Sequence, residues 1–299
     1  MLNEQAKQDI LAAFGLSEDE CEIKSATNGT LYTIKPKKNN ENGNKKLPIK
    51  EIKNSMVFNQ HNLSFENCVF ECEIFLTYKT FNKALNFDRC VFKKFVNFNG
   101  TTFKKISFKN TIFEDIVYFI RIKIKQTSFL RSRFKERAFF SESTFKNKAN
   151  FAEVIFDNNA YFDEAVFEKG ANFDRSEFCR HAHFYGTRFN AFPNFTQTIF
   201  NGSINLTNVE NAELNATIDS LKEKIEGIYE QRKKKYNENQ DKNPEKNLQK
   251  HEIANELRDS FRAIRFALIK DNNMLDAHDY EVLEQYCKEI ESEYKNSKQ

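Results

Sequence analysis

Five consecutive blocks decide the reading of this chain: NFAEVIFDNNA (150–160), YFDEAVFEKGA (161–171), NFDRSEFCRHA (172–182), HFYGTRFNAFP (183–193) and NFTQTIFNGSI (194–204). Each has 11 residues with Phe at its second and seventh places, so Phe spacings alternate between five and six from Phe151 to Phe200. Upstream the spacing is mostly five, as in Phe65, Phe70, Phe75 and again in Phe98, Phe103, Phe108, Phe113, while Ile124 and Leu206 stand in where Phe is missing. Two residues before most of these Phe lies a small or β-branched residue: Thr101, Thr111, Ser132, Ser143, Val154, Ala160, Ala165, Ala171, Ser176, Ala182, Thr187 and Thr198. A separation of two puts both side chains on one side of an extended segment, with the residue between them facing out. Asp, Asn, Gly and Glu follow (Asp157-Asn158-Asn159, Asp163-Glu164, Asn201-Gly202), and turn formers there bend the chain after each short strand.

An 11-residue period is also the mark of a right-handed helical supercoil. At 100° per residue, steps of five and six rotate by about 140° and 240°, which sends alternate Phe to opposite flanks and leaves no seam. Frequent Asn, Thr and Phe also favour extended backbone. The pattern therefore predicts a parallel solenoid in which every face contributes one large and one small inward residue. Between Phe58 and Leu206 there are 28 such faces. Four faces per coil give about seven coils, stacked over ~34 Å at the ~4.8 Å spacing of strands. Burial of each Phe at ~1.5–3 kcal/mol sums to tens of kcal/mol, enough to offset the ordering of the segment without metal or disulfide.

The signature of a small residue, any residue, then Phe, recurring every five residues, resembles the pentapeptide repeat family, in which Leu or Phe is preceded by Ala two places earlier. That resemblance implies a mainly β fold, a right-handed parallel quadrilateral β-helix, with the six-residue steps bulging corners or flattening faces. The tail, NELRDSFRAIRFALIKDNNMLDAHDYEVLEQYCKEIE, is similar to a helical pair that follows the repeats in some bacterial members, at Arg258, Phe261, Arg262, Leu268, Asn273, Ala277, Tyr280 and Glu284. In several such relatives membrane helices come next; this sequence ends at Gln299, so either the protein is soluble and cytoplasmic, at most peripheral to a membrane, which is the expectation, or a membrane anchor follows.

Around the repeat, residues 1–50 read as an amphipathic helix (Gln5 to Leu16), a strand (Leu31 to Ile34) and a flexible basic loop (35–50). The β-helix takes 51–210. Residues 211–299 read as α-helices: one over Glu213 to Tyr236, a linker near 237–250 containing Pro244, then two more at about 251–270 and 275–295, separated by Asn272-Asn273. Of 32 Phe, 29 fall between Phe58 and Phe200, and there is no Trp. No apolar run reaches the ~20 residues of a membrane span, and the start lacks a secretory signal. Six scattered cysteines without a CxxC pair suit a reducing compartment.

No nucleotide loop, zinc-protease motif, nucleophile elbow or paired CxxC is present. Cys179, His181 and His183 are the one concentrated set of soft ligands, fewer than converge in a usual metal site, and read as surface side chains of one coil. Acidic pairs such as Asp163-Glu164 and Glu114-Asp115 fall at turns, where nothing raises a carboxyl toward general acid work. Catalytic, cofactor and metal residues are therefore assigned to none, and no small-molecule substrate is expected. Charge is more telling. Residues 93–137 hold 12 Lys/Arg against three acids, a balance of +9, while 138–206 balance at −2. Lys104, Lys105, Lys109, Arg121, Lys123, Lys125, Arg131 and Arg133 are the candidate anion-binding residues, for nucleic acid or anionic lipid. The family's DNA-mimicking members, which bind gyrase, need a negative surface, whereas the repeat here balances at +6. The leading expectation is a non-enzymatic scaffold that docks a protein partner, with the helical tail as a second docking or homodimerising element.

Overall fold

Where a small inward residue, an outward residue and an inward Phe succeed one another, the chain forms a strand of two or three residues, and bends again. In the computed structural model, which describes residues 4–26, 31–37, 46–210, 218–239 and 250–297, these strands stack into a parallel β-solenoid of about seven turns. From Leu47 onward each strand pairs with those 21 or 22 residues away, as Phe113 with Phe92 and Phe134, so two of the 11-residue blocks make one coil.

Four faces result. Face I runs from Leu47–Ile49 to Ile199–Phe200 in eight rungs, and face II from Ile74–Phe75 to Ile204–Asn205 in seven. Faces III and IV share one sheet, because Thr80–Asn86 and Thr102–Ser107 pass unbroken round the corner between them. Beyond these rungs face III continues through Lys123–Ile124, Thr144–Phe145, Val166–Phe167 and Arg188–Phe189, and face IV through Thr127–Ser128, Ala149–Asn150 and Ala171–Asn172.

Two kinds of corner alternate. Between faces II and III, and between IV and I, the residue two places after the inward ring has positive φ: Arg121, Glu142 and Glu164 on one edge, Arg131, Glu153 and Arg175 on the other, all between 53° and 58°. The amide three places after the ring donates back to its carbonyl, as Ser132 N to Phe129 O at 2.9 Å and Ser176 N to Phe173 O at 2.9 Å. This is a β-turn with the left-handed residue third, a type II pattern that Gly or Asn fills most easily. Turn formers were expected at every bend, yet Arg and Glu hold many of these places. Their strain, about 1–2 kcal/mol each, is offset by amides that pair with the next coil, such as Glu142 N to Asp163 O at 2.8 Å. The six-residue steps all fall at the other two corners, where the additional residue bulges outward.

Inside, the rings form columns. On face I, Phe92, Phe113, Phe134, Phe156 and Phe178 stack at 4.8–5.0 Å with planes within 14° of parallel. On face IV, Phe129, Phe151 and Phe173 stack at 4.9–5.1 Å. Rings of faces II and IV meet edge to face, as Phe151 and Phe162 do at 88°. All twelve small residues named above are buried. Most of their hydroxyls donate to carbonyls one coil back, as Thr111 to Phe87 O at 2.6 Å, Thr187 to Phe162 O at 2.7 Å and Thr198 to Phe173 O at 2.8 Å, while Ser132 bonds Phe129 O within its own corner. A row that looked merely small is thus also a row of intercoil bonds.

Phe75 departs from the expected inward series. It is 58% exposed and Leu76 fills the core place, because the corner from Phe70 takes a six-residue step. Within the expected loop 35–50, Leu47–Ile49 opens face I, its alternating Leu47 and Ile49 buried. Most of the remaining loop and of the 237–250 linker lies outside the described residues. At the N-terminal end, Leu31–Pro36 pairs in parallel with Asn62–Phe65 and antiparallel with Cys21–Ser25. Helix α1 (Glu4–Phe14) and the short α2 (Val57–Gln60) bring Phe14 and Phe58 edge-on to one another at 5.5 Å over the first rings. The tail forms α3 (Ile218–Asn239), α4 (Lys250–Lys270) and α5 (Met274–Ser297), with Asn272 at φ 60° between the last two, as the sequence predicts.

The inward and outward assignment has a direct test. Phe167 is wholly buried, whereas its neighbour Val166 lies on the outer side. Phe167→Asp places a charge among rings and should abolish cooperative folding or lower stability by several kcal/mol. Val166→Asp should cost less than about 1 kcal/mol in urea denaturation. Similar losses from the two would contradict the assignment.

Candidate functional site

With the inward positions filled by core, the chemistry left to the solenoid stands on its outside, where each face carries its own row. Face I presents mainly β-branched residues (Val91, Ile112, Ile155, Ile199). Face II presents rings: Tyr118, Phe139, Tyr161 and His183 follow one another at 4.6–4.8 Å, each half-buried. The Arg137 guanidinium lies 5.9 Å from the Phe139 ring centre. Face IV presents an amide ladder, in which Asn194 Nδ2 donates to Asn172 Oδ1 at 2.9 Å and Asn172 Nδ2 to Asn150 Oδ1 at 3.3 Å. The same side chains cap the turns that follow, as Asn150 Oδ1 accepts from Ala152 N at 3.1 Å.

The eight candidate cations do not share one face. Arg121 and Arg131 occupy left-handed turn positions on separate edges, and each forks onto the Glu one coil on: Arg121 to Glu142 at 2.7 and 2.9 Å, Arg131 to Glu153 at 2.8 and 3.2 Å. Arg133, on face I, forks onto Asp157 at 2.7 and 3.0 Å. Hydrogen bonds and charge from these arginines hold Glu142 and Glu153 below the usual carboxylate range. Lys93 and Lys135 likewise bind Glu71 and Glu114 on the preceding coil, at 2.8 and 2.7 Å. Exposed pairs of this kind contribute little stability each, about 0–1 kcal/mol, but they neutralise the surface in place.

Lys104, Lys105, Lys123 and Lys125 are the ones brought together. Lys104 and Lys105 sit at the corner between faces III and IV, where a five-residue step (Phe103 to Phe108) lies against a six-residue step (Phe81 to Phe87) and the register shifts between Phe103 and Lys105. Such a bulge re-aims side chains. Lys125 occupies the same corner on the next coil and Lys123 stands beside it on face III. All four are exposed. Lys109 stands apart, past the face IV row, where its amide donates to Asp88 Oδ1 at 3.0 Å.

His183 belongs to the ring strip, stacked on Tyr161 at 17°, and burial depresses its pKa against the opposing pull of Asp163. The His181 and His183 rings are 6.2 Å apart, and His181 Nδ1 meets Ser203 Oγ. Among the described residues no three His, Cys, Asp or Glu side chains converge as a metal site would need. No helix of the described residues is long and apolar enough to cross a membrane.

The tail positions singled out by sequence turn out to be a clasp. Phe261, Leu268, Ala277 and Tyr280 are buried among α4, α5 and the solenoid end. Arg258 binds Glu291 at 2.5 Å, and buried Glu284 receives Arg262, Arg265 and Lys288 at 3.0–3.1 Å. Helix α4 seats on the last coil through Ser260, whose Oγ accepts the Phe195 amide at 3.0 Å, and through Phe261 against Phe192 at 5.2 Å. Arg265 and Lys288 went unnoticed in the sequence because nothing there marks them as partners of Glu284.

A family model described as pentapeptide repeats (9 copies) matches residues 129–177 and, overlapping, 151–199. No curated protein and no solved structure matches the chain significantly.

The clasp should be sensitive to acid. Burial alone would raise the Glu284 carboxyl; Lys288, Arg262 and Arg265 overcome it and hold the group below its usual range. An acid depressed on folding contributes fully above its unfolded pKa of about 4.3 and loses that contribution as pH falls toward the folded value. Helical signal should therefore be lost below about pH 4 before the solenoid melts. Glu284→Gln should remove that acid step and cost roughly 3 kcal/mol at neutral pH, read by circular dichroism.

Proposed function

From the premise that this solenoid is built of pentapeptide repeats, whose proteins are generally non-enzymatic interaction or scaffold modules, we propose that the chain is a non-enzymatic docking scaffold for a protein partner. The observation that carries this reading is the sorting of outward residues into continuous chemical strips. A catalytic centre needs titratable groups converging on an enclosed space. Here the enclosed space is filled with stacked rings and the buried thiols of Cys68 and Cys90, while the charged side chains of the solenoid lie outside it, several of them paired coil to coil.

The partner docks on face II. Tyr, Phe and Arg are enriched in protein interfaces, the rings because they bury large areas at low entropic cost. Tyr118, Phe139 and Tyr161, with Arg137 beside them, form such a strip on strands paired coil to coil. The helical pair supplies the second element: Phe266, Ile269, Met274 and Leu275, at the α4–α5 bend, are 39–85% exposed and suit self-association.

Replacing Tyr118, Phe139 and Tyr161 together by Ala should leave the melting temperature within a few degrees of wild type yet remove the partner from affinity capture. Capture that is equal with both proteins would overturn face II as the docking surface. Phe266→Glu with Leu275→Glu should convert a dimer to a monomer in sedimentation analysis, and a wild-type protein that is monomeric at high concentration would reject the tail's role.

A further inference from the structure

We propose that the corner between faces III and IV is a binding ridge for the phosphodiester backbone of a nucleic-acid duplex, lying along the solenoid axis. The proposal deepens the reading as an interaction module by giving one edge a ligand class. It rests on which cations the fold leaves unpaired. Within the solenoid, Arg89, Lys93, Arg121, Arg131, Arg133, Lys135, Arg175 and Arg188 all have acidic partners. Lys83, Lys104, Lys105, Lys125, Lys146, Lys148 and Lys169 have no ion pair among the described residues and all seven fall on this one corner, whereas Lys79, Lys94, Lys109, Arg137 and Arg180, also without one, are divided among the other three. Lys123 adds an eighth on the adjoining face. They occupy five successive coils, a row of about 19 Å at the ~4.8 Å spacing of strands. Glu168 is the one acid at that corner.

Like charges stacked coil on coil repel, and at the other edges Arg121 and Arg131 are each set against a Glu on the next coil. Along the ridge the lysines have no such partner among the described residues. A linear polyanion supplies the missing charge, and lysine is suited to phosphates as a mobile point charge without base-reading geometry. Beside the lysines, Asn82 and Gln126 line a shallow groove and offer amides of the kind that commonly contact phosphates, while in the neighbouring groove Ser107 Oγ already donates to Asp88 at 2.6 Å.

The alternatives fit less well. Membrane-surface binding uses apolar side chains that enter the lipid beside the basic ones, and no exposed large hydrophobic residue lies between Lys83 and Lys169 on this corner. An acidic protein partner would need an anchoring aromatic or aliphatic residue, also absent there. Single strands are held by stacking on exposed rings, and the ring strip lies on face II, away from this corner.

Fluorescence polarisation with a labelled 20-base-pair duplex of mixed sequence, on the full chain, tests the ridge. About five phosphate contacts give a slope near −4.5 in log K against log salt, so affinity should fall roughly 500-fold between 50 and 200 mM NaCl. Lys104→Glu, Lys105→Glu, Lys125→Glu and Lys146→Glu combined should abolish binding at 50 mM. The milder Lys104→Gln, Lys105→Gln and Lys125→Gln set, checked for an unchanged melt, should flatten the slope by about three contacts. Arg133→Gln with Lys135→Gln, at paired positions away from the ridge, should leave affinity within twofold. Absence of duplex binding at 50 mM, indifference to the ridge variants, equal loss in the control, or ridge-dependent binding to phosphatidylserine vesicles without duplex binding would each overturn the proposal. None of these results bears on partner capture through face II, so the two readings fail separately.

Discussion

A phenyl ring stacks on another at about the distance at which one β-strand pairs with the next, and this structure depends on that coincidence. Centroid separations of 4.7–5.1 Å along face I match the 4.7–4.9 Å between paired strands, so backbone ladder and ring column advance together. Neither has to distort to satisfy the other. The consequence is that a residue's neighbours above and below are those 21 or 22 positions away, and columns become chemically uniform: ring on ring, amide on amide, hydroxyl on the carbonyl beneath. Where uniformity lapses, as at Ile124 between Phe103 and Phe145, the place stays apolar and buried and the backbone register is kept.

This explains why so much of the architecture could be read from the residues alone. Alternation of small and large two places apart is a local rule, and all twelve small residues and almost all the Phe fall where it puts them. Phe75 escaped it because five- and six-residue steps leave the same trace in sequence until the corner that absorbs the sixth residue is known. The turn chemistry was less visible. A left-handed residue announces itself when it is Gly or Asn, as Gly100 and Asn110 do, but Arg131 or Glu153 in that conformation looks like any exposed residue. Those positions are held by pairing with neighbouring coils, a long-range effect that no local propensity records.

Function was harder to see for a related reason. Counting charge along the chain groups residues 93–137 into one basic segment, yet two coils carry that segment around all four sides of the solenoid. Charge has to be counted by column. So counted, Arg121 and Glu142 cancel across 21 residues and Arg131 and Glu153 across 22, while Lys83, Lys104, Lys105, Lys125, Lys146, Lys148 and Lys169 accumulate on a single edge. The intercoil pairs are legible once the coil length is known, and the Arg–Glu forks follow from their placement at equivalent corners.

Both ends of the stack bear on how such a molecule can meet a partner. An open solenoid ends in unpaired strands, which invite further coils to add by edge pairing. At the N-terminal end, α1 and α2 lay Phe14 and Phe58 over the first rings, and Leu31–Pro36 is itself covered by the charged strand Cys21–Ser25. At the other end Ser260 of α4 takes up the Phe195 amide, and Lys270 reaches the carbonyl of Asn201 on the final coil. Helix α4 can do this because α5 pins it through the Glu284 cluster, which makes the clasp part of the cap. With end-to-end addition blocked at each terminus by apolar packing and hydrogen bonds, association is directed to the flanks. There the strips differ from face to face, and a partner is selected by which of them it complements.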